Sequence, residues 1–378
     1  MTLDAYRDLF PLPPGVVYLD HAATGSLGTP AVEAATDFVR GRGGLVPGRL
    51  PNNFPADLER IDRARQRAAA LVNAPVETVC LVPNTSTGLN LVARGLDWRA
   101  GDRVAVPACE FPSNLLPWRD LGRLGVETDL VAHRDGTFTP EDVEAVLTPR
   151  TRVVAVSAVQ FLSGFRCDLD AIGELCRQRG VLFVVDAIQA VGALRVDVEA
   201  VRPDLLAVGA HKWLGGMQGV GFAVVAPDLM DRLTPLRGWL NGPVDWDDFE
   251  SVGLDLHPDA TRFHVGTFPT AALYALDAAI GSMLDVGPAV LEAAVLENAA
   301  HVADGLDRLG FERYGPQGAP ASGIVTVRAK DPERLHAHLS TQGVVASLRS
   351  RLLRISPHAQ TRPDSIDAAL DAVARFVA

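Results

Sequence analysis

Val181-Leu182-Phe183-Val184-Val185-Asp186, followed further on by Leu205-Leu206-Ala207-Val208-Gly209-Ala210-His211-Lys212, decides how this chain folds. Each stretch begins as a short apolar run bounded by turn signals, the pattern of a parallel strand buried on both faces. Each run delivers a charged side chain near its carboxyl end, the edge at which open α/β sheets bind ligands. The acid Asp186 and the amine Lys212 are therefore expected in one crevice.

Lys212 stands out by composition. Of 35 basic residues only Lys212 and Lys330 are lysine, and the rest are arginine. Arginine stays protonated and cannot act as an amine nucleophile, whereas a desolvated lysine sheds its proton and attacks carbonyls. The neighbours His211 and Trp213-Leu214-Gly215-Gly216 favour that role over a strand-end lysine paired with a surface carboxylate. An imine-forming lysine, with an aspartate for a pyridinium nitrogen, is what a protein contributes to pyridoxal 5′-phosphate (PLP) chemistry. An ionised Asp186 keeps such a nitrogen protonated, because the opposite charge favours the charged form.

Asp186-Ala187-Ile188-Gln189-Ala190-Val191-Gly192, His211-Lys212-Trp213-Leu214 and Gly219-Val220-Gly221-Phe222 together resemble the class V aminotransferase family of fold type I PLP enzymes. That family includes cysteine desulfurases, isopenicillin N epimerase-like proteins and kynureninases, and the resemblance runs from about Tyr18 to the C-terminus. It implies an α/β fold: a large domain with a mostly parallel sheet of the seven-stranded type sandwiched by helices, plus a small α+β C-terminal domain. The implied divisions are an N-terminal arm (1–17), a PLP-binding large domain (18–270) and the small domain (271–378), entered through a linking helix. By the same resemblance Lys212 is the catalytic residue joined to PLP, Asp186 faces the pyridine nitrogen, Gln189 bonds the phenolic oxygen, and His211 stacks or bonds near the ring.

Taken in order, the segments add further expectations. Val16 to Gly25 reads as a strand entering a glycine turn and resembles the family's substrate-side segment, which makes His21 a candidate wall of the site; a histidine capping a turn is the alternative. Asn84-Thr85-Ser86-Thr87-Gly88 follows a strand and opens a helix, where free N–H groups and the helix dipole attract anions. A plain N-cap uses the same residues, but the place in the chain matches the family's phosphate loop, with Ser86 and Thr87 as ligands of the PLP phosphate. Cys109-Glu110-Phe111-Pro112-Ser113-Asn114 is similar to the Asn-Phe-Pro-Thr segment of kynureninases, so Phe111 is expected to stack on the cofactor rather than fill the core. Strand Arg152 to Ser157, helix Leu169 to Arg179 stopped by Gly180, and the strand ending in Asp186 form a right-handed crossover unit.

Beyond Lys212, Gly219 to Val225 is another strand, and the irregular stretch from Leu236 is expected at the site mouth. Kynureninases carry a tryptophan near the phosphate at about this distance, which points to Trp239. Phe263-His264-Val265-Gly266-Thr267-Phe268-Pro269 resembles the family's Gly-Thr-Pro segment, so Thr267 is expected to reach the phosphate of a neighbouring subunit in a homodimer with shared active sites. Leu353-Arg354-Ile355-Ser356-Pro357-His358 matches the segment whose arginine binds the substrate α-carboxylate, and a bidentate guanidinium fixes a planar carboxylate in orientation.

A formal net charge of −11 argues against nucleic-acid or anionic-membrane partners. No apolar run reaches membrane-spanning length, and the N-terminus lacks the zones of a signal peptide, so a soluble cytoplasmic protein is expected. Cys80, Cys109, Cys167 and Cys176 are not at metal-ligand spacing, and no metal is expected; Cys109 lies near the expected site. Desulfurases of this family carry a cysteine shortly before the carboxylate-binding arginine, yet Val344 to Arg351 contains none and none follows Cys176. The frequent Ser-x-His-Lys is Gly209-Ala210-His211-Lys212 here, which removes one phosphate-binding hydroxyl. The expected enzyme acts at Cα or Cβ of an α-amino acid as an aminotransferase or C–S/β-lyase. An epimerase, a kynureninase-like hydrolase and, from another class, a non-catalytic PLP-fold binding protein are the alternatives.

Overall fold

The computed structural model describes residues 1–47, 54–245, 248, 250 and 253–378. Its central sheet has seven strands, β1 (Val79–Val82), β2 (Arg103–Pro107), β3 (Glu127–Val131), β4 (Thr151–Ser157), β5 (Leu182–Asp186), β6 (Leu205–Gly209) and β7 (Gly221–Val225), in the order β1-β7-β6-β5-β4-β2-β3. From β6 to β3 every neighbour is parallel, and β7 alone runs antiparallel to both β1 and β6.

Side chains on a strand alternate between faces, and here both faces are covered. Phe183, Val185, Leu206, Val208, Phe222 and Val224 pack into one core. Leu182, Val184, Leu205, Ala207, Ala223 and Val225 pack into the other. This two-sided burial explains why the sequence shows apolar runs instead of alternation. Helices α1 (Thr29–Arg42), α2 (Phe54–Leu71), α3 (Thr85–Gly95), α4 (Leu169–Arg179) and α5 (Thr270–Val286) accompany the sheet. Helix α4 follows the expected bounds: Asp168 caps it by accepting from the Ala171 N–H at 3.0 Å, and Gly180 ends it at φ +64, a left-handed conformation that favours glycine.

A second sheet is wholly antiparallel, with β8 (Glu312–Arg313), β9 (Val325–Arg328), β10 (Ser347–Arg349) and β11 (Leu352–Ile355) in the order β10-β11-β9-β8. Helices α6 (Pro288–Arg308), α7 (Pro332–Thr341) and α8 (Pro363–Val377) join it around a separate core that includes Val302, Leu306, Leu335, Leu353 and Val373.

Two segments pack differently from the divisions expected above. Val17–Tyr18 pairs in parallel with Val344–Val345, and Leu19 is buried in the smaller core, so the segment expected to open the large domain is bonded to the small one. Helix α5, expected beyond the boundary at 270, buries Leu273, Leu276, Ile280 and Met283 in the main core. The change of core falls inside α6, where Leu291, Ala294 and Val295 face the main core and Ala299, Val302 and Leu306 the smaller one. The N-terminal arm is docked too, with Tyr6 fully buried in the main core. Among the described residues no single helix is long and apolar enough to cross a membrane.

Candidate active site

The carboxyl ends of β4 and β5 put Ser157 beside Asp186, which are paired across the ladder. Lys212 follows the end of β6 and joins them around a cavity of about 460 Å³. Lys212 is only 9% exposed. Burial pushes its amine down to about 8, with Asp186 acting against that shift and Arg354 with it. Burial pushes Asp186 up to about 6, against the Ile188 N–H it accepts at 3.0 Å and the Lys212 charge. His211 lines the same cavity, and its pKa is lowered by burial and by Lys212.

Phe111 sits over the lysine, its ring centroid 5.5 Å from Nζ, and is braced edge-on by Phe161 at 5.2 Å. Its ring remains 42% exposed and lines the cavity, the placement of a stacking surface rather than a core side chain. Gln189 also lines the cavity; its Nε2 donates to Ala22 O at 3.0 Å and its Oε1 accepts from Trp213 Nε1 at 2.7 Å, which leaves one amide hydrogen unspent.

At the start of α3, Asn84 caps the helix by accepting from the Thr87 N–H and hydroxyl at 2.9 and 3.1 Å. Ser86 turns into the cavity and donates to Ser113 Oγ at 3.0 Å. Thr85 lines the cavity as well, and its Oγ1 is buried with no hydrogen-bond partner. Arg354, in the middle of β11, lines the cavity and is 2% exposed. Its Nη1 donates to Phe161 O at 2.7 Å and its Nη2 to Asp20 Oδ1 at 3.3 Å, while Nε is unpartnered. Asp20 is held in turn by Ser347 Oγ at 2.7 Å. Arg349, exposed on β10, reaches the same cavity.

Three expected residues, His21, Thr87 and Trp239, are not brought there, and Thr267, expected to serve the neighbouring subunit's site, also lies outside this cavity. His21 is buried and lies outside the cavity lining: its Nδ1 meets Ser356 O at 3.0 Å, its Nε2 accepts from Gln360 Nε2 at 2.9 Å, and its ring stacks toward Trp213 at 6.2 Å. Burial and the neighbouring His358 push it down to about 3, so it is neutral. The cavity wall is formed by the next residues, Ala22, Ala23 and Thr24. Thr87 is exposed and faces away, because one step along a helix turns a side chain by about 100° from Ser86. Thr267 lies with Thr87 on a separate apolar groove of about 590 Å³. Trp239 is exposed on a different pocket beside Asn241. In the irregular stretch expected at the site mouth, residues 246, 247, 249, 251 and 252 lie outside the described residues.

Sequence reasoning missed Thr85, Ser113, Ser157 and Arg349. The run of hydroxyl residues after Asn84 signalled a phosphate-type loop, but which of them faces the cavity depends on helical phase. Gly25 was missed as well. Its N–H donates to His211 O at 2.8 Å, and a Cβ there would collide with the Lys212 carbonyl, so the N-terminal turn clamps the lysine segment only because residue 25 is glycine.

The chain matches the family model described as "Aminotransferase class-V" over residues 17–348. This chain belongs to the class-V aminotransferase family. A probable cysteine desulfurase of Methanothermobacter thermautotrophicus is 33% identical over 287 residues, 76% of this chain and 71% of that protein. An uncharacterized aminotransferase of Bacillus subtilis is 26% identical over 98% of this chain and 97% of that protein. In three dimensions the chain is similar to a cystine C–S lyase solved with its reaction product cysteine persulfide, at TM-score 0.87 and 24% identity, covering 96% of this chain and 98% of that one.

Class-V enzymes use PLP, and this chain is a PLP-dependent enzyme. The residues present fit the cofactor: the unpartnered Thr85 hydroxyl and the free N–H groups of α3 suit a phosphate, and the buried Asp186 and Lys212 suit a ring nitrogen and a carbonyl carbon.

Proposed function

We propose that this class-V enzyme cleaves a C–S bond at Cβ of an α-amino acid as a lyase, without a protein thiol to receive the sulfur. The observation that carries this reading is a cavity holding Lys212, Asp186 and Arg354 with no cysteine among its lining residues. Cys80, Cys167 and Cys176 are buried, and burial with the Glu110 charge pushes the Cys109 thiol up to about 12. The segment Val344 to Arg351, where desulfurases carry their cysteine, is instead held in two sheets: Val344–Val345 pairs with Val17–Tyr18, and Ser347–Arg349 turns through Ser350 and Arg351, at φ +49 and +62, to pair with β11. The relatives named above as a desulfurase and a C–S lyase support sulfur as the leaving atom. Aminotransfer by the same groups is the second reading, supported by the family itself.

When bound, PLP supplies an electron sink that makes the proton on Cα acidic. Arg354, held through Nη1 by Phe161 O and through Nη2 by Asp20, offers its unpartnered Nε and the remaining guanidinium hydrogens to the α-carboxylate and fixes the orientation of Cα. The Lys212 amine, its pKa lowered by burial to about 8, takes the Cα proton. Asp186 would hold a proton on the pyridine nitrogen, and Phe111 would offer its ring as a stacking surface. Ser86, Ser113 and Thr85 hold the phosphate, and Gln189 offers its remaining N–H to the phenolic oxygen. The Cβ–S electron pair leaves with sulfur; hydrolysis of the remaining carbon skeleton yields an oxo acid and ammonium. In this assignment His211 borders the ring, and His21 supports the wall formed by Ala22 without touching substrate.

The partner is a second copy of this chain. The apolar groove bearing Thr87 and Thr267, flanked by the exposed Leu236 and Val265, supports that pairing, with Thr267 directed at the neighbour's phosphate. The division into an N-terminal arm, a large PLP-binding domain and a small domain is proposed with the switch inside α6.

The test is to add cystine, cysteine and other β-substituted amino acids singly to purified protein while recording the visible band and the products. Oxo acid, ammonium and a released sulfur species, with the band restored afterwards, is the expected result. Lasting bleaching with no sulfur release would establish aminotransfer instead. Sulfur retained on the polypeptide would refute the lyase reading.

A further inference from the structure

Behind Asp186 lies a second buried carboxyl group. Glu110, in the loop after β2, is 6% exposed. Its Oε1 accepts from the Ser157 N–H at 2.6 Å and from Gln160 Nε2 at 2.8 Å, and its Oε2 contacts Ser157 Oγ. Ser157 itself lines the cavity and is the ladder partner of Asp186. The Oε1 of Gln160 is buried without a partner. This polar cluster sits at the end of the cavity assigned above to the ring nitrogen.

We propose that Glu110 is a positioning residue for that end of the site: its carboxyl group sets the hydrogen-bonding polarity of Ser157 and the charge standing behind Asp186. The proposal rests on the placement of PLP given above.

The physical basis is a single shared proton. When Glu110 is protonated, its O–H donates to Ser157 Oγ, and the Ser157 hydroxyl hydrogen is free to point into the cavity. When Glu110 is ionised, it accepts that hydrogen, and the cavity meets only Ser157 lone pairs. The titratable groups that act on Glu110 or feel its charge are Asp186 on β5, Cys109 in its own loop and Cys167 across the bridge Val159–Arg166. Both thiols are pushed up by burial and stay neutral, so Asp186 is the charge that matters. Two buried carboxylates resist ionising together. Burial accordingly pushes Glu110 up to about 7, against its bonds from Ser157 and Gln160. Ionising it places a second negative charge near the ring nitrogen and strengthens the hold on that proton. A glutamate that merely pinned the loop would give no such pH response.

The experiment is a pH titration of the visible band of purified holoenzyme for the wild type, Glu110→Gln and Ser157→Ala. The wild type is expected to show a transition near pH 7. Glu110→Gln loses it, and at alkaline pH its bound cofactor titrates on the order of one pH unit lower than in the wild type. Ser157→Ala keeps the transition but moves it to higher pH, because the lost hydroxyl bond favoured the ionised carboxylate while the backbone N–H bond remains. Identical profiles for the wild type and Glu110→Gln would overturn the proposal. If Glu110→Gln does not fold, an unmoved transition in Ser157→Ala would do the same. A wild-type protein with no visible band would overturn this proposal and the assignment of Lys212 together, which separates the two failures.

Discussion

The lowered pKa of Lys212 makes capture of PLP by the apoprotein fast at neutral pH. Its amine titrates at about 8, against an ordinary 10.5. At about pH 7.5 roughly a quarter of such amines are unprotonated, against about one in a thousand at the ordinary value, a gain of roughly 240-fold in nucleophile. The rate of PLP capture, followed by stopped-flow absorbance on protein stripped with hydroxylamine, is therefore expected to climb about tenfold per pH unit at low pH and level off above about pH 8. Asp186→Asn sharpens the test. Asp186 is the largest influence raising the Lys212 pKa, so its removal moves the plateau to lower pH. A rate still rising tenfold per unit up to about pH 10 would show an amine that the fold has not desolvated, and the account of the site would fail at its centre.

Arg354→Lys keeps the charge but loses the guanidinium fork; at about 3 kcal/mol for two charged hydrogen bonds, kcat/KM is expected to fall roughly 100-fold. Steady-state kinetics with unchanged kcat/KM would remove Arg354 from substrate binding. Glu110→Gln is expected to become more stable relative to the wild type as pH rises. The folded protein holds the Glu110 proton between its ordinary 4.5 and about 7, so the wild type keeps this stability below 4.5 and loses it as pH rises through 7. The full shift amounts to roughly 3 kcal/mol, readable from denaturant unfolding at several pH values, and parallel curves would count against it. Gly25→Ala is expected to lower Tm and cofactor retention because its Cβ meets the Lys212 carbonyl, whereas Gly122→Ala, with open space around it, leaves both unchanged. Equal behaviour of the two variants in thermal melts and dialysis would refute the clamp.

Sequence legibility varied with how local the controlling physics is. The strands ending in Asp186 and leading to Lys212 were legible because a strand covered on both faces must be apolar throughout, and such runs survive in one dimension. Helix α4 was legible to the residue because its start and stop are made by Asp168 and Gly180 themselves. Phe111 was placed on the cavity by its turn-forming neighbours. His21 was expected on the cavity wall, but Ala22, Ala23 and Thr24 form it, since the chain there is fixed by Ser356, Ser347 and Arg354, more than 300 residues away. Thr87 gave way to Thr85 for a reason of helical phase alone.

The sequence by itself determined the family, the α/β fold and the chemistry, because an imine-forming lysine and a charged partner at strand ends are needed in kind and leave their identity in the chain. Only the tertiary structure decided which hydroxyls face the cavity, that Asp20 and Glu110 stand behind Arg354 and Asp186, and that no cysteine lines this cavity. Those outcomes depend on distance, burial and shared protons between segments far apart in the chain, quantities that residue order does not carry.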